Sequence, residues 1–89
     1  MEDPPKDASQ RPEGPPPAAT VDARGHRCPT PTLRLRRALE RLGPGERVLL
    51  IADDPMARID VPYFVAGAAA DLVWSSAEDG RLQFLVEKR

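Results

Sequence analysis

The chain has 89 residues, a formal net charge of -1 and a single cysteine. That length allows one domain at most, and one cysteine excludes any disulfide within the chain, so a small core must hold the fold unaided. The near-neutral balance argues against a bulk nucleic-acid binder, and the longest apolar runs, Val48 to Ala52 and Tyr63 to Ala70, are too short to span a bilayer.

Residues 1–17 come first. Pro4, Pro5, Pro12, Pro15, Pro16 and Pro17 are mixed with charged and small residues, and no aromatic or β-branched side chain is present to build a core. The segment is expected to be a disordered proline-rich tail, locally polyproline II around Pro15, Pro16 and Pro17, with the folded domain spanning 18–89. It is acidic rather than basic then apolar, so it does not read as a secretory signal. A lone free thiol suits a reducing compartment, and the expected location is the cytoplasm.

Thr20-Val21-Asp22-Ala23 alternates as a short strand ended by Gly25. A helix follows, with Thr30 as its expected cap and Pro31 in its first turn, where a missing N–H costs nothing. Leu35, Ala38, Leu39 and Leu42 recur at the spacing of one buried stripe, and Gly43-Pro44-Gly45 stops the helix. Arg47 to Ala52 is a continuous apolar, β-branched run and reads as a central strand covered on at least one face. Asp53-Asp54-Pro55 ends it. The stretch from Met56 to Ala70 predicts a turn and then a second helix, capped by Asp60, with Pro62 in its first turn, Ala66, Ala69 and Ala70 favouring helix, and Gly67 allowing close packing. Leu72 to Ser75 and Leu82 to Val86 flank Glu78-Asp79-Gly80, a hairpin signal.

The predicted order is strand, helix, strand, helix, strand, strand. Two amphipathic helices on one face of a four-stranded sheet make an α/β fold, a two-layer sandwich. The strand–helix–strand crossover makes the first two strands parallel, and the last two form an antiparallel hairpin, so the sheet is mixed.

Cys28 lies in Arg27-Cys28-Pro29-Thr30-Pro31-Thr32, where the first strand gives way to the first helix. The thiolate is the nucleophilic form, and the positive end of a helix dipole beside an arginine favours it. At an ordinary pKa near ~8.5 only a few per cent of a thiol is ionised at neutral pH, so a downward shift of about one unit raises the reactive fraction several-fold. Most free cysteines are instead small buried hydrophobes. Cys28 is bracketed by Arg27 and Pro29 rather than by apolar residues, which favours the reactive reading.

The same residues carry a family resemblance. Asp22-Ala23-Arg24-Gly25-His26-Arg27-Cys28-Pro29-Thr30-Pro31, with its Cys-Pro-x-Pro, resembles the signature of the TusA-like sulfur carrier proteins of the SirA/YedF group. The resemblance continues through Gly43-Pro44-Gly45-Glu46, Ala52-Asp53-Asp54-Pro55 and Asp60-Val61-Pro62-Tyr63-Phe64, from about Thr20 to the C-terminus. It implies the same two-layer sandwich. It also implies a sulfurtransferase that holds sulfane sulfur as a persulfide on Cys28 and relays it from a donor, a cysteine desulfurase or rhodanese-like protein, to an acceptor protein. Arg27 and the following helical turn would activate the thiol, and Pro29 and Pro31 would fix its geometry. Thiolation of transfer RNA, molybdenum-cofactor assembly and dissimilatory sulfur oxidation are all pathways compatible with such a carrier. Some relatives have a second cysteine where this chain has Val65, so an internal resolving thiol is excluded here. His26 stands where relatives often carry an aliphatic residue and reads more simply as an exposed loop residue than as a modifier of Cys28.

Arg34, Arg37 and Arg41 follow helical spacing on one face, with Arg36 beside them. They read either as a solvated face or as a docking patch that steers acidic surfaces of donor or acceptor. No aromatic interleaving supports direct nucleic-acid contact. Asp53, Asp54 and Asp60 are expected to cap helices rather than bind metal, and one Cys with one His cannot complete a zinc site. Tyr63, Phe64 and Trp74 read as core or interface residues. The expected protein is a monomer without metal or cofactor and without membrane contact. The competing reading of the same fold is a non-catalytic interaction or redox-regulatory module.

Overall fold

A computed structural model describes residues 14–26 and 30–89. Six elements run in the order β1 (Ala19–Asp22), α1 (Thr30–Glu40), β2 (Arg47–Ala52), α2 (Ala57–Gly67), β3 (Ala70–Glu78) and β4 (Arg81–Lys88). The apolar run of β2 takes an inner place in a sheet ordered β1-β2-β4-β3. β1 lies parallel to β2, as the crossover through α1 requires, whereas β4 is antiparallel to both β2 and β3. The sheet is mixed and the fold is α/β, as the patterning implied.

Alternation along the strands selects the core. Val48, Leu50 and Ala52 of β2 and Leu82, Phe84 and Val86 of β4 pack with Leu35 and Leu39 of α1 and Val61 and Val65 of α2. Both helices therefore cover one face. On the other face the register aligns Thr20, Leu49, Leu85 and Trp74 in one row. Arg47 and Glu87, also opposite one another on that face, form an ion pair of 2.9 Å in which the arginine side chain is 9% exposed.

The Asp-Gly hairpin is built as expected. Asp79 (φ 52°) and Gly80 (φ 78°) are both left-handed, the conformation of a type I′ turn whose twist matches the flanking strands. Upstream, β3 contains a feature that pattern alone does not show. Leu72 pairs with Val86 and Trp74 with Leu85, so Val73 is an extra residue in the ladder. This bulge reverses the alternation: Leu72 packs toward the helices while Trp74 joins the opposite face.

Three expected boundaries move. Thr30 is the first residue of α1 rather than its cap, and position 29 lies outside the described residues. α2 begins at Ala57, so Asp60 sits inside its first turn and Pro62 within the helix. The reason is Asp54, whose Oδ1 accepts the Met56 N–H at 3.1 Å while its carbonyl accepts the Ala57 N–H at 2.9 Å. Arg58 and Ile59 continue the tight turn by donating to the carbonyls of Pro55 and Met56, so the chain is coiled before Asp60 is reached. At the other end α2 stops at Gly67, and Ala70 opens β3 with its side chain in the core. A Cβ at Gly67 would meet nothing within 4 Å, so the glycine is not needed for close packing.

Candidate functional site

Because β1 and β2 are parallel neighbours, the loops that follow them leave the sheet side by side, the usual place for a site in such a fold. The first of these loops leads into residues 27–29. Arg27, Cys28 and Pro29 lie outside the described residues, and the structure instead defines what flanks them. Ala23 extends the pairing of β1 by donating to the Ile51 carbonyl at 2.7 Å, and His26 N–H closes a turn onto the Ala23 carbonyl at 3.2 Å. Gly25 adopts φ +83°, which a side chain would strain. Its N–H is shared by both carboxylate oxygens of Asp53, at 3.0 and 3.1 Å, from the loop after β2.

A second set of bonds holds the other side. The Asp22 carboxylate accepts the backbone N–H of Arg24 at 3.1 Å, its Nε at 2.9 Å and its Nη2 at 2.7 Å. Arg34, one turn into α1, donates Nη1 to the Asp22 carbonyl at 2.7 Å. Residues 27–29 thus run between a loop fixed to Asp53 and a helix fixed to the end of β1. At its far end α1 is held by Lys88, whose Nζ donates to the Leu39 carbonyl at 2.9 Å, a cation at the negative end of a helix.

The hydrogen bonds from Arg24, side chain first and backbone second, hold the Asp22 carboxyl at about 2, against an ordinary 3.8. Its folded-state pKa is depressed, so the pair stabilises the loop above pH 3.8 and that support is lost as pH falls through about 2. Carbon NMR of the Asp22 carboxyl should titrate with a midpoint near 2, and Arg24→Ala should return it to the ordinary carboxylate range. A midpoint unmoved by that substitution would show that Arg24 is not the cause.

The remaining residues singled out from sequence fall in separate places. Pro31 is fully buried in the first turn of α1. All three arginines are exposed: Arg34 donates to the Asp22 carbonyl, whereas Arg37 and Arg41 make no ion pair with a described residue. Arg36 looks the other way, toward α2, where it lines a cavity of about 490 Å³ with Leu39, Tyr63, Phe64 and Lys88. His26 is exposed. Tyr63 is 83% exposed and is not a core residue, while Phe64 and Trp74 are half-buried. Val65 is buried among core residues.

Of the three aspartates expected to cap helices, only Asp54 organises a helix start. Asp53 instead spans 28 residues of sequence to reach Gly25, a partner that no local pattern identifies. Asp22 had a usable signal, a carboxylate two residues before an arginine at a strand end. Among the described residues no three His, Cys, Asp or Glu side chains converge as a metal site, and no helix is long and apolar enough to cross a membrane.

A two-layer sandwich that carries its lone cysteine in the crossover from the first strand to the first helix defines a small thiol-bearing α/β domain. The family model described as sulfurtransferase TusA matches residues 19–88, and the chain belongs to that family. Among solved structures it is similar to a SirA-like protein from Desulfitobacterium hafniense, at 25% identity and a TM-score of 0.62, covering 78% of this chain and 95% of that one. Membership implies a sulfur-carrier function served by donor and acceptor proteins.

Proposed function

We propose that this protein carries sulfane sulfur as a persulfide on Cys28 and relays it between two other proteins. The observation that carries the reading is the family match together with the start of α1 at Thr30, two residues after Cys28 in the chain. The first N–H groups of a helix lack intrahelical partners, and with Arg27 adjacent in sequence they favour an anion at the preceding residues. Pro29 and Pro31 restrict the backbone on either side of Thr30.

The transfer balances without a redox partner. The Cys28 thiolate attacks the terminal sulfur of a donor persulfide. The sulfur–sulfur bond in the donor breaks, the donor departs as a thiolate, and Cys28 now bears the sulfane sulfur. An acceptor thiolate then attacks that terminal sulfur and Cys28 leaves as a thiolate. A lowered pKa helps twice, by supplying the attacking anion and by improving the leaving group. Since Cys28 is the chain's only cysteine, the second attack must come from another protein. Suitable donors are cysteine desulfurase or rhodanese-like proteins, and the carrier works as a monomer in a reducing compartment. Intact-protein mass after incubation with such a donor tests the reading: the wild type should gain the mass of sulfur, and reductant should remove it. A wild type that never gains sulfur from either class of donor would overturn it.

Docking falls to exposed arginines of α1 and the turn that follows it. Arg37 and Arg41 present charge to solvent, while Arg34 also supports the end of β1 and so is tested apart from them. Arg37→Glu with Arg41→Glu should slow sulfur exchange with an acidic partner surface several-fold at low ionic strength, and the difference should fade as salt is added. Alkylation of Cys28 by a small neutral reagent should be unaffected. Equal exchange rates at low salt would leave these residues as a solvated face.

A further inference from the structure

We infer that the outer face of the sheet is a docking surface for the chain's own proline-rich segment, residues 1–13, which covers Trp74 as a third layer opposite the helices. This goes beyond the reading of Cys28 as a sulfur carrier and does not rest on it. Both helices pack on one face of the sheet, yet residues of the other face are nearly as buried as the core: Leu85 is 2%, Gln83 4% and Leu49 6% exposed. An antiparallel sheet face without a covering layer ordinarily meets water and carries polar residues. Here Leu49, Leu85 and Trp74 stand in one row at its centre, and the bulge at Val73 is what turns Trp74 onto it.

The described chain already enters this face. Ala18 donates to the Arg47 carbonyl at 2.7 Å, which continues the β1 pairing upstream. Gly14 then lies so close to the Arg47 side chain that a Cβ there would come within 2.8 Å of three guanidinium atoms. Arg47 is held on the outer face by its pair with Glu87, so Gly14 marks where the chain crosses onto that face. From Arg47 on β2, Trp74 on β3 is two strand spacings across and two residues along, roughly 12 Å. An extended proline-rich chain advances about 3.1 Å per residue, so about four residues before Gly14, Pro12 among them, span that distance. The opposite terminus is committed elsewhere: Arg89 donates its N–H to the Ala69 carbonyl and its guanidinium to Asp71. Composition fits the same occupant. Residues 1–13 hold no aromatic or β-branched side chain and cannot build a core of their own. A proline-rich segment docks instead on an aromatic surface supplied by another element, because its backbone is already extended and loses little entropy on binding. With the outer face closed in this way, the exposed arginines on the helical layer remain open to partners.

Trp74 is the chain's only tryptophan, so its fluorescence reports this face alone. Acrylamide quenching is measured on the full chain and on a variant lacking residues 1–13, with circular dichroism to establish that both are folded. Removing the segment should raise the quenching constant about two- to three-fold and move the emission to longer wavelength, because the indole gains contact with water. Gly14→Val in the full chain puts a side chain where the Arg47 guanidinium stands, at a φ of +140° that valine does not adopt, and should raise quenching without removing a proline. Equal quenching with and without residues 1–13 would overturn the proposal. So would a full chain whose quenching rises on dilution, since a second copy would then be the cover. If the shortened chain does not fold, Gly14→Val decides alone: raised quenching supports the contact and an unchanged constant refutes it.

Discussion

Cys28→Ser loses sulfur loading altogether and melts within about two degrees of the wild type. The loss is complete because a serine hydroxyl is not ionised near neutral pH and forms no persulfide, and the chain holds no other thiol to substitute for it. Stability should be spared because a core of described residues carries the fold, with Leu35, Leu50, Val48, Val61, Val86 and Pro31 its largest fully buried side chains. A serine hydroxyl just before a helix can, moreover, accept from the unpartnered N–H groups of the first turn. A structural cysteine would behave in the opposite way, since burying a hydroxyl without a partner costs about 1–3 kcal/mol, several degrees in a domain of this size. Intact mass after donor treatment and parallel thermal melts decide between them. Sulfur retained by the serine variant would exclude Cys28 as the carrier atom.

Leu50→Ala has the largest expected effect on folding. Leu50 is fully buried on β2, with Val21 of β1 and Phe84 of β4 opposite it, and it belongs to the cluster that joins both helices to the sheet. Truncation at such a site costs about 2–5 kcal/mol, from lost burial plus the cavity left in a core that closes only partly around it. Small domains are stable by only about 5–15 kcal/mol, so the melting temperature should fall on the order of ten to thirty degrees. Leu33→Ala is the control, because Leu33 is half-exposed on α1 and its loss should cost less than about 0.5 kcal/mol. Comparable melts for the two variants would show that the helices are not held to the sheet through Leu50.

Elements with strong local signals could be read directly. The apolar run of β2 implied an inner strand, the leucine stripe implied the buried face of α1, and Asp79-Gly80 implied a two-residue hairpin; each reports a preference carried by residues adjacent in sequence or one turn apart. The expected start of α2 lies four residues too late because Asp60 and Pro62 imitate a helix opening, while the bonds that open it come from Asp54 and Pro55. The bulge at Val73 was illegible for a related reason. Leu72 and Trp74 look like one face of an unbroken strand, and only pairing with β4 decides that they lie on opposite faces.

The candidate site divides in the same way. Residue chemistry alone nominated Cys28, with Arg27, Pro29 and Pro31 about it, since an isolated thiol before a proline-marked helix start is a local arrangement. The row of Arg34, Arg37 and Arg41 was equally local as a pattern, and all three are exposed, yet the fold sets Arg34 apart by bonding it to the end of β1. The bond from Gly25 to Asp53 required the sheet itself. The sequence by itself determined the order and type of the elements, because hydrophobic period, turn chemistry and thiol chemistry act over a few residues. Only the tertiary structure decided which loops meet, since that follows from the parallel pairing of β1 with β2, a contact between segments 29 residues apart whose partners carry no mark of one another.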